Sequence, residues 1–214
     1  LELVDGWDVD TLLRRATAAG IAFPPSLALY VTAQVCRALQ YAHTRAKDGA
    51  PLNIVHRDVS PENILVSDQG EVKLADFGIA TAANKQDKTS AGIVKGKLGF
   101  MSPEQANGTP MDARTDVYAL GCALYVMVTG ARPFQGKTEL EVLLRHQEGA
   151  FIPPQDVAPN LHPDLVAMIL KALARDVDFR YASAEEMLFD VERIQRAAFG
   201  ASGQTELREW LQEL

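Results

Sequence analysis

Three short stretches of the chain carry side chains whose types and spacing suit chemistry. His56-Arg57-Asp58 is followed by Asn63, five positions after the aspartate. Asp76-Phe77-Gly78 comes next, and Ser102-Pro103-Glu104 closes a long irregular segment. Asp58 and Asp76 offer carboxylates and Asn63 a neutral amide. Such oxygens can orient a hydroxyl, accept its proton, or ligate a hard cation. Taken singly, each stretch is weak. A lone Asp-Phe-Gly is usually a turn, and a lone His-Arg-Asp a charged loop. All three in this order, with a hairpin between the first two, form a specific signal.

That hairpin is the element that must position them. Asn63–Ser67 and Glu71–Ala75 are short β-like runs around the turn Asp68-Gln69-Gly70. It starts on Asn63 and ends beside Asp76. Upstream, Leu1–Val4 reads as a strand end closed by Asp5-Gly6. Asp10 or Thr11 caps a short helix through Arg15. Pro24-Pro25-Ser26 opens a long helix with Leu27, Val31, Val35, Ala38 and Ala42 at helical spacing. Lys47–Pro51 reads as a polar loop. From Asp76 to about Pro110 no period is visible, and a loop of that length inside a domain is usually functional. Helices follow over Arg114–Val128, stopping near Gly130, and over about Thr138–Glu148, Pro163–Ala174 and Ala184–Arg196. Ala197–Gln204 reads as a linker. Thr205–Leu214 is a short amphipathic helix with Leu207, Trp210, Leu211 and Leu214 on one face. The expected fold class is mostly α with a short β-hairpin.

The 214 residues suffice to bury a core without disulfides. Hydrophobic residues make up 47% and charged residues 23%, which excludes a disordered chain. The net charge of −7 argues against a nucleic-acid groove or a polybasic membrane patch. Val117–Val128, the longest apolar run, is too short to cross a bilayer and suits a buried helix. Cys36 and Cys122 lie in apolar helical patterns and are expected as buried free thiols. No Cys/His cluster has zinc spacing. His43 is expected as a packed helix residue, and His146 and His162 as surface residues.

The three stretches together resemble the protein kinase superfamily, and specifically the eukaryotic-like Ser/Thr kinases of bacteria. Asp116-Val117-Tyr118-Ala119-Leu120-Gly121, Arg180 and the hinge-like Leu1–Gly6 extend the resemblance over nearly all of residues 1–196. It implies a hinge over 1–6 and a kinase C-terminal lobe over 7–196. The catalytic loop would be 56–63 and the activation segment 76–104, with a linker and short helix over 197–214. It also implies ATP and Mg2+ as cofactors and a protein substrate; no nucleic-acid partner is expected, and the expected location is cytoplasmic, with any membrane anchor of the parent protein outside this chain. Phosphoryl transfer needs positioning and charge neutralisation more than covalent chemistry. By resemblance, Asp58 orients the incoming hydroxyl and accepts its proton. Asp76 and Asn63 hold the magnesium. The backbone at Glu2 and Val4 contacts adenine, Leu65 forms the apolar floor under it, and Ala75 lies nearby. His56 and Phe77 pack as a column, Asp116 ties down the catalytic loop, and Glu104 pairs with Arg180. The other function classes weighed are a signalling scaffold without catalysis and a small-molecule phosphotransferase.

Several features depart from the family pattern. No Gly-x-Gly-x-x-Gly occurs in the chain and the first lysine is Lys47, so the N-terminal lobe is expected to be absent from these residues. Such a chain is expected to lack useful activity alone and to dissolve poorly. Family members usually carry a lysine two positions after the catalytic aspartate, where this chain has Ser60. They usually carry a threonine after the glycine that opens the substrate turn, where this chain has Lys97. In the family these positions face each other, so Lys97 is expected to supply the cation that Ser60 cannot. The competing expectation is a pseudokinase. Arg57 beside Asp58 implies pairing with a phosphorylated activation-segment residue, with Thr81, Thr89 and Ser90 as candidates.

Overall fold

The computed structural model describes residues 4–77 and 98–214. Its framework is helical. α1 (Val9–Ala19) and α2 (Pro25–His43) come first, then α3 (Pro103–Asn107) and α4 (Ala113–Thr129). They are followed by α5 (Glu139–Glu148), α6 (Pro154–Val157), α7 (Pro163–Ala172), α8 (Ala184–Ile194) and α9 (Gln204–Gln212). Strands β1 (Gly6–Asp8), β4 (Ile64–Ser67) and β5 (Val72–Leu74) form an antiparallel sheet in the order β1-β4-β5. β2 (Ala46–Lys47) and β3 (Ala50–Pro51) make a separate hairpin that overlaps the segment Lys47–Pro51 expected as a loop and begins one residue before it.

The β4–β5 hairpin is where the residue pattern places it, with Ile64 opposite Leu74 and Val66 opposite Val72. Ile64 and Val66 are fully buried and Leu65 between them is half-buried, as alternate faces of a strand require. The turn closes on Gly70 at φ 79°, a conformation that L side chains rarely adopt.

α4 is the central post of the molecule. Val117, Tyr118, Leu120, Cys122, Ala123, Leu124 and Tyr125 are all fully buried, so it is apolar on every side instead of along one stripe. α2 packs against it and against α8, and α7 crosses it. At that crossing a Cβ on Gly121 would lie 2.7 Å from the Ala172 Cβ, so only glycine lets the two helices approach.

The structure differs from the sequence expectation at several boundaries. Among the described residues the first strand, β1, starts at Gly6, and Leu1–Leu3 of the expected strand end lie outside the described residues. α1 is capped by Asp8, whose carboxylate accepts from the Thr11 amide at 2.8 Å, and it runs on to Gly20. Asp10 instead sits in its first turn, where a negative charge favours the dipole. The aperiodic stretch holds α3, a short helix opened by a Ser102–Gln105 capping box. The expected linker is shorter, because Gln195–Phe199 continue α8 as a π-helical turn. α9 joins the main core. Leu207 is fully buried, and Trp210 packs edge-on against Phe23 with ring centroids 4.7 Å apart. Among the described residues no helix is long and apolar enough to cross a membrane.

Candidate active site

The loop from His56 to Ser60 has no regular structure, so its shape must be imposed from outside. Asp116, in the first turn of α4 and fully buried, does this. Its carboxylate accepts from the His56 amide at 2.8 Å and the Arg57 amide at 2.7 Å. His43 Nε2, from the last turn of α2, is 2.8 Å away. A buried carboxylate is tolerated when donors surround it like this. His43 is therefore more than the packing residue expected. It lies 73 positions from Asp116, and no local pattern could announce the contact.

His56 connects the loop to the hairpin. Its Nε2 lies 3.0 Å from the Ala75 carbonyl, and its Nδ1 accepts from the Asp58 amide at 3.3 Å. One nitrogen must donate and the other accept, which is the neutral imidazole. Burial pushes its pKa below the ordinary histidine value, although the Ala75 carbonyl and the carboxylates of Asp116, Asp58 and Asp76 oppose the shift. The His56 and Phe77 rings pack at 4.5 Å between centroids, the contact expected from the resemblance.

Asp58, Asn63 and Asp76 are joined through this frame. The Asn63 side-chain amide donates to the Asp58 carbonyl at 2.6 Å. The Asn63 carbonyl accepts from the Ala75 amide at 2.9 Å, which sets Asp76 just beyond the end of β5. Arg57 at φ 66° and Asp76 at φ 55° are both left-handed. For residues other than glycine that strain is on the order of 1–3 kcal/mol each, and it persists where the surroundings over-determine the backbone.

Ser60 is buried and extended at the start of the 3-10 turn Pro61–Asn63, its carbonyl accepting from the Asn63 amide at 3.0 Å. Leu65 lies on the face of β4 turned away from the core, and Val4 is half-buried. Glu2, Lys97, Thr81, Thr89 and Ser90 lie outside the described residues.

Glu104, in the first turn of α3, is locked to the helical framework. Arg180 holds it bidentately, with Nη1 at 2.8 Å and Nη2 at 2.9 Å, and Thr115 Oγ1 donates at 2.8 Å. Burial works to raise the Glu104 pKa, but Arg180 and Thr115 outweigh it and hold the carboxyl below its usual range. The guanidinium also donates to the Ala174 and Arg175 carbonyls and lies over the Tyr118 ring at 4.7 Å.

His146 corrects an expectation. It is fully buried, stacked 3.8 Å from Phe134, and not on the surface. Helix periodicity alone does not tell a buried histidine from an exposed one. His162 is exposed and caps α7 through Nδ1.

A sequence model of the protein kinase domain matches residues 1–190. The chain belongs to the protein kinase family. It is 39% identical over 204 residues to the tyrosine-protein kinase MasK of Myxococcus xanthus, covering 95% of this chain and 32% of that protein. It is 39% identical over 196 residues to the serine/threonine-protein kinase PknB of Mycobacterium tuberculosis, covering 91% of this chain and 30% of the relative. The chain thus spans less than a third of these curated relatives. In fold it is similar to the crystal structure of a point mutant of the Mycobacterium tuberculosis PknI kinase domain. The TM-score is 0.67 at 24% identity, over 92% of this chain and 64% of that one.

Proposed function

We propose that this chain carries the catalytic-loop part of an ATP- and magnesium-dependent kinase that phosphorylates serine or threonine hydroxyls of proteins. The observation that carries this reading is the single hydrogen-bonded unit that binds Asp58 to Asn63 and Asn63 to the strand leading to Asp76.

The residues fit the cofactors. Asn63 commits its amide nitrogen to the Asp58 carbonyl, so its oxygen is the atom of that side chain able to ligate a cation. Magnesium needs only one or two protein oxygens when phosphates and waters supply the rest, and Asp76 with Asn63 meets that need. Bound ATP would supply the transferred phosphoryl group, with magnesium neutralising its charge. Asp58 orients the acceptor hydroxyl and takes its proton as the oxygen attacks. The backbone at Glu2 and Val4 meets the adenine edge, with Leu65 and Ala75 beneath it. No Gly-x-Gly-x-x-Gly loop for the phosphates occurs within these 214 residues. Lys97 supplies the cation that Ser60, buried beside Asp58, does not.

The test is phosphate transfer from ATP by the full-length protein. Asp58→Asn and Asp76→Asn should each lower the rate at least ~100-fold; undiminished transfer by either rejects the site. Lys97→Met should lower it at least ~10-fold, and an unchanged rate rejects the Ser60–Lys97 exchange. Phosphoamino-acid analysis separates serine and threonine from tyrosine, the hydroxyl named for MasK. Robust turnover by the 214 residues alone would reject the need for an N-terminal lobe.

A further inference from the structure

We infer that Gln105 is a positioning residue for Asp58, coupling the end of the activation segment to the catalytic loop. This rests on the reading of Asp58 given above.

Gln105 sits at the third position of α3, where a capping box accepts either glutamine or glutamate. Its Oε1 accepts from the Ser102 amide at 2.9 Å. That bond needs only an acceptor, and a glutamate would serve. The other end of the side chain makes the difference. Gln105 Nε2 donates to the Arg57 carbonyl at 2.9 Å, 48 positions away in sequence. Ser102 N only donates and the Arg57 carbonyl only accepts, so the orientation of the amide is forced. A glutamate here would turn a carboxylate oxygen toward a carbonyl oxygen.

The peptide group that Gln105 grips is the one joining Arg57 to Asp58. Its N–H donates to His56 Nδ1, so both ends of its plane are held. The preceding peptide is held by Asp116 through the Arg57 amide. Arg57 itself is left-handed, a conformation that relaxes when its restraints are removed. Losing the Gln105 bond leaves the Arg57–Asp58 peptide held at its N–H by His56 but released at its carbonyl, which loosens the direction of the Asp58 carboxylate. Ser102 and Glu104 flank the same turn, so a shift of the activation segment reaches Asp58 through this side chain.

The experiment compares four forms of the full-length protein: unaltered, Gln105→Glu, Gly108→Ala, and Asp58→Asn as the control for the site. Gln105→Glu keeps the capping acceptor and removes the donor to Arg57. Gly108→Ala strains the left-handed cap at the other end of α3, at φ 65°, without touching the loop. The readouts are kcat, the KM for ATP, Tm, and amide hydrogen exchange over residues 56–59. Gln105→Glu should speed exchange at the Asp58 amide and lower kcat about three- to tenfold, with KM for ATP unchanged. Gly108→Ala should lower Tm and leave kcat within about twofold. Unchanged exchange in Gln105→Glu overturns the positioning role, and faster exchange with unchanged kcat overturns its catalytic relevance. Equal kcat losses in Gln105→Glu and Gly108→Ala would reduce Gln105 to a helix cap. If unaltered protein shows no turnover sensitive to Asp58→Asn, the reading of the site falls first and takes this inference with it.

Discussion

His146 shows how a single buried ring sets a pH dependence. The ring is fully buried, and that burial lowers its pKa from 6.5 to about 4, against the pull of the Met101 and Leu98 carbonyls. The folded state therefore binds this proton less readily than the unfolded chain. The stabilisation is fully present above pH 6.5 and is lost as pH falls toward about 4. A shift of this size corresponds to roughly 3 kcal/mol. His56, also lowered by burial, and Glu104, lowered by Arg180 against its burial, lose stability in the same direction on acidification. His146→Phe should flatten the fall in urea-unfolding free energy between pH 6.5 and about 4 while leaving part of it. An unchanged slope would mean that His146 is not the group titrating.

At the scale of elements, the His56–Ser60 loop has no ladder of its own and borrows rigidity from its neighbours. α4 lends Asp116, α2 lends His43, and the hairpin lends the Ala75 carbonyl. Asp116→Asn replaces one accepting oxygen by an NH2 group. At least one of the His56 amide, the Arg57 amide and His43 Nε2 then faces a donor. Hydrogen bonds to charged groups contribute ~1.5–3 kcal/mol each, so a loss of about 3 kcal/mol is expected on urea unfolding. Phosphate transfer should fall with it, because Arg57 loses a restraint on its left-handed backbone. At the other end of the hairpin, Gly70 meets α9 so closely that a Cβ there would lie 2.3 Å from the Gln204 carbonyl oxygen. Gln204 also donates to the Gln69 carbonyl at 3.1 Å. The strands that carry Asn63 and lead to Asp76 are thus braced at their turn by the last helix.

Across the whole molecule, one core runs from α1 to α9, with Cys36 on α2 and Cys122 on α4 inside it. Burial pushes Cys36 up to about 12 and also raises Cys122. A thiol reagent at about pH 8, near the ordinary thiol pKa, should therefore label neither until the core opens, and both should react together in urea. Fast labelling of the native chain would contradict a single core. The motifs around Asp58, Asn63, Asp76 and Glu104, the hairpin, and the stop of α4 at Gly130 were legible in the sequence. They rest on local rules: strand alternation, turn residues, a glycine helix stop, and fixed spacing. Helix α3 was also locally encoded, in Ser102-Pro103-Glu104-Gln105, but its brevity leaves no period to detect. The partnership of His43 with Asp116, the depth of His146, the docking of α9 and the reach of Gln105 to Arg57 belonged to the tertiary structure. Each depends on segments well separated along the chain being brought into contact. A side chain's type states what it can bond to; only the packed chain decides which partner stands there.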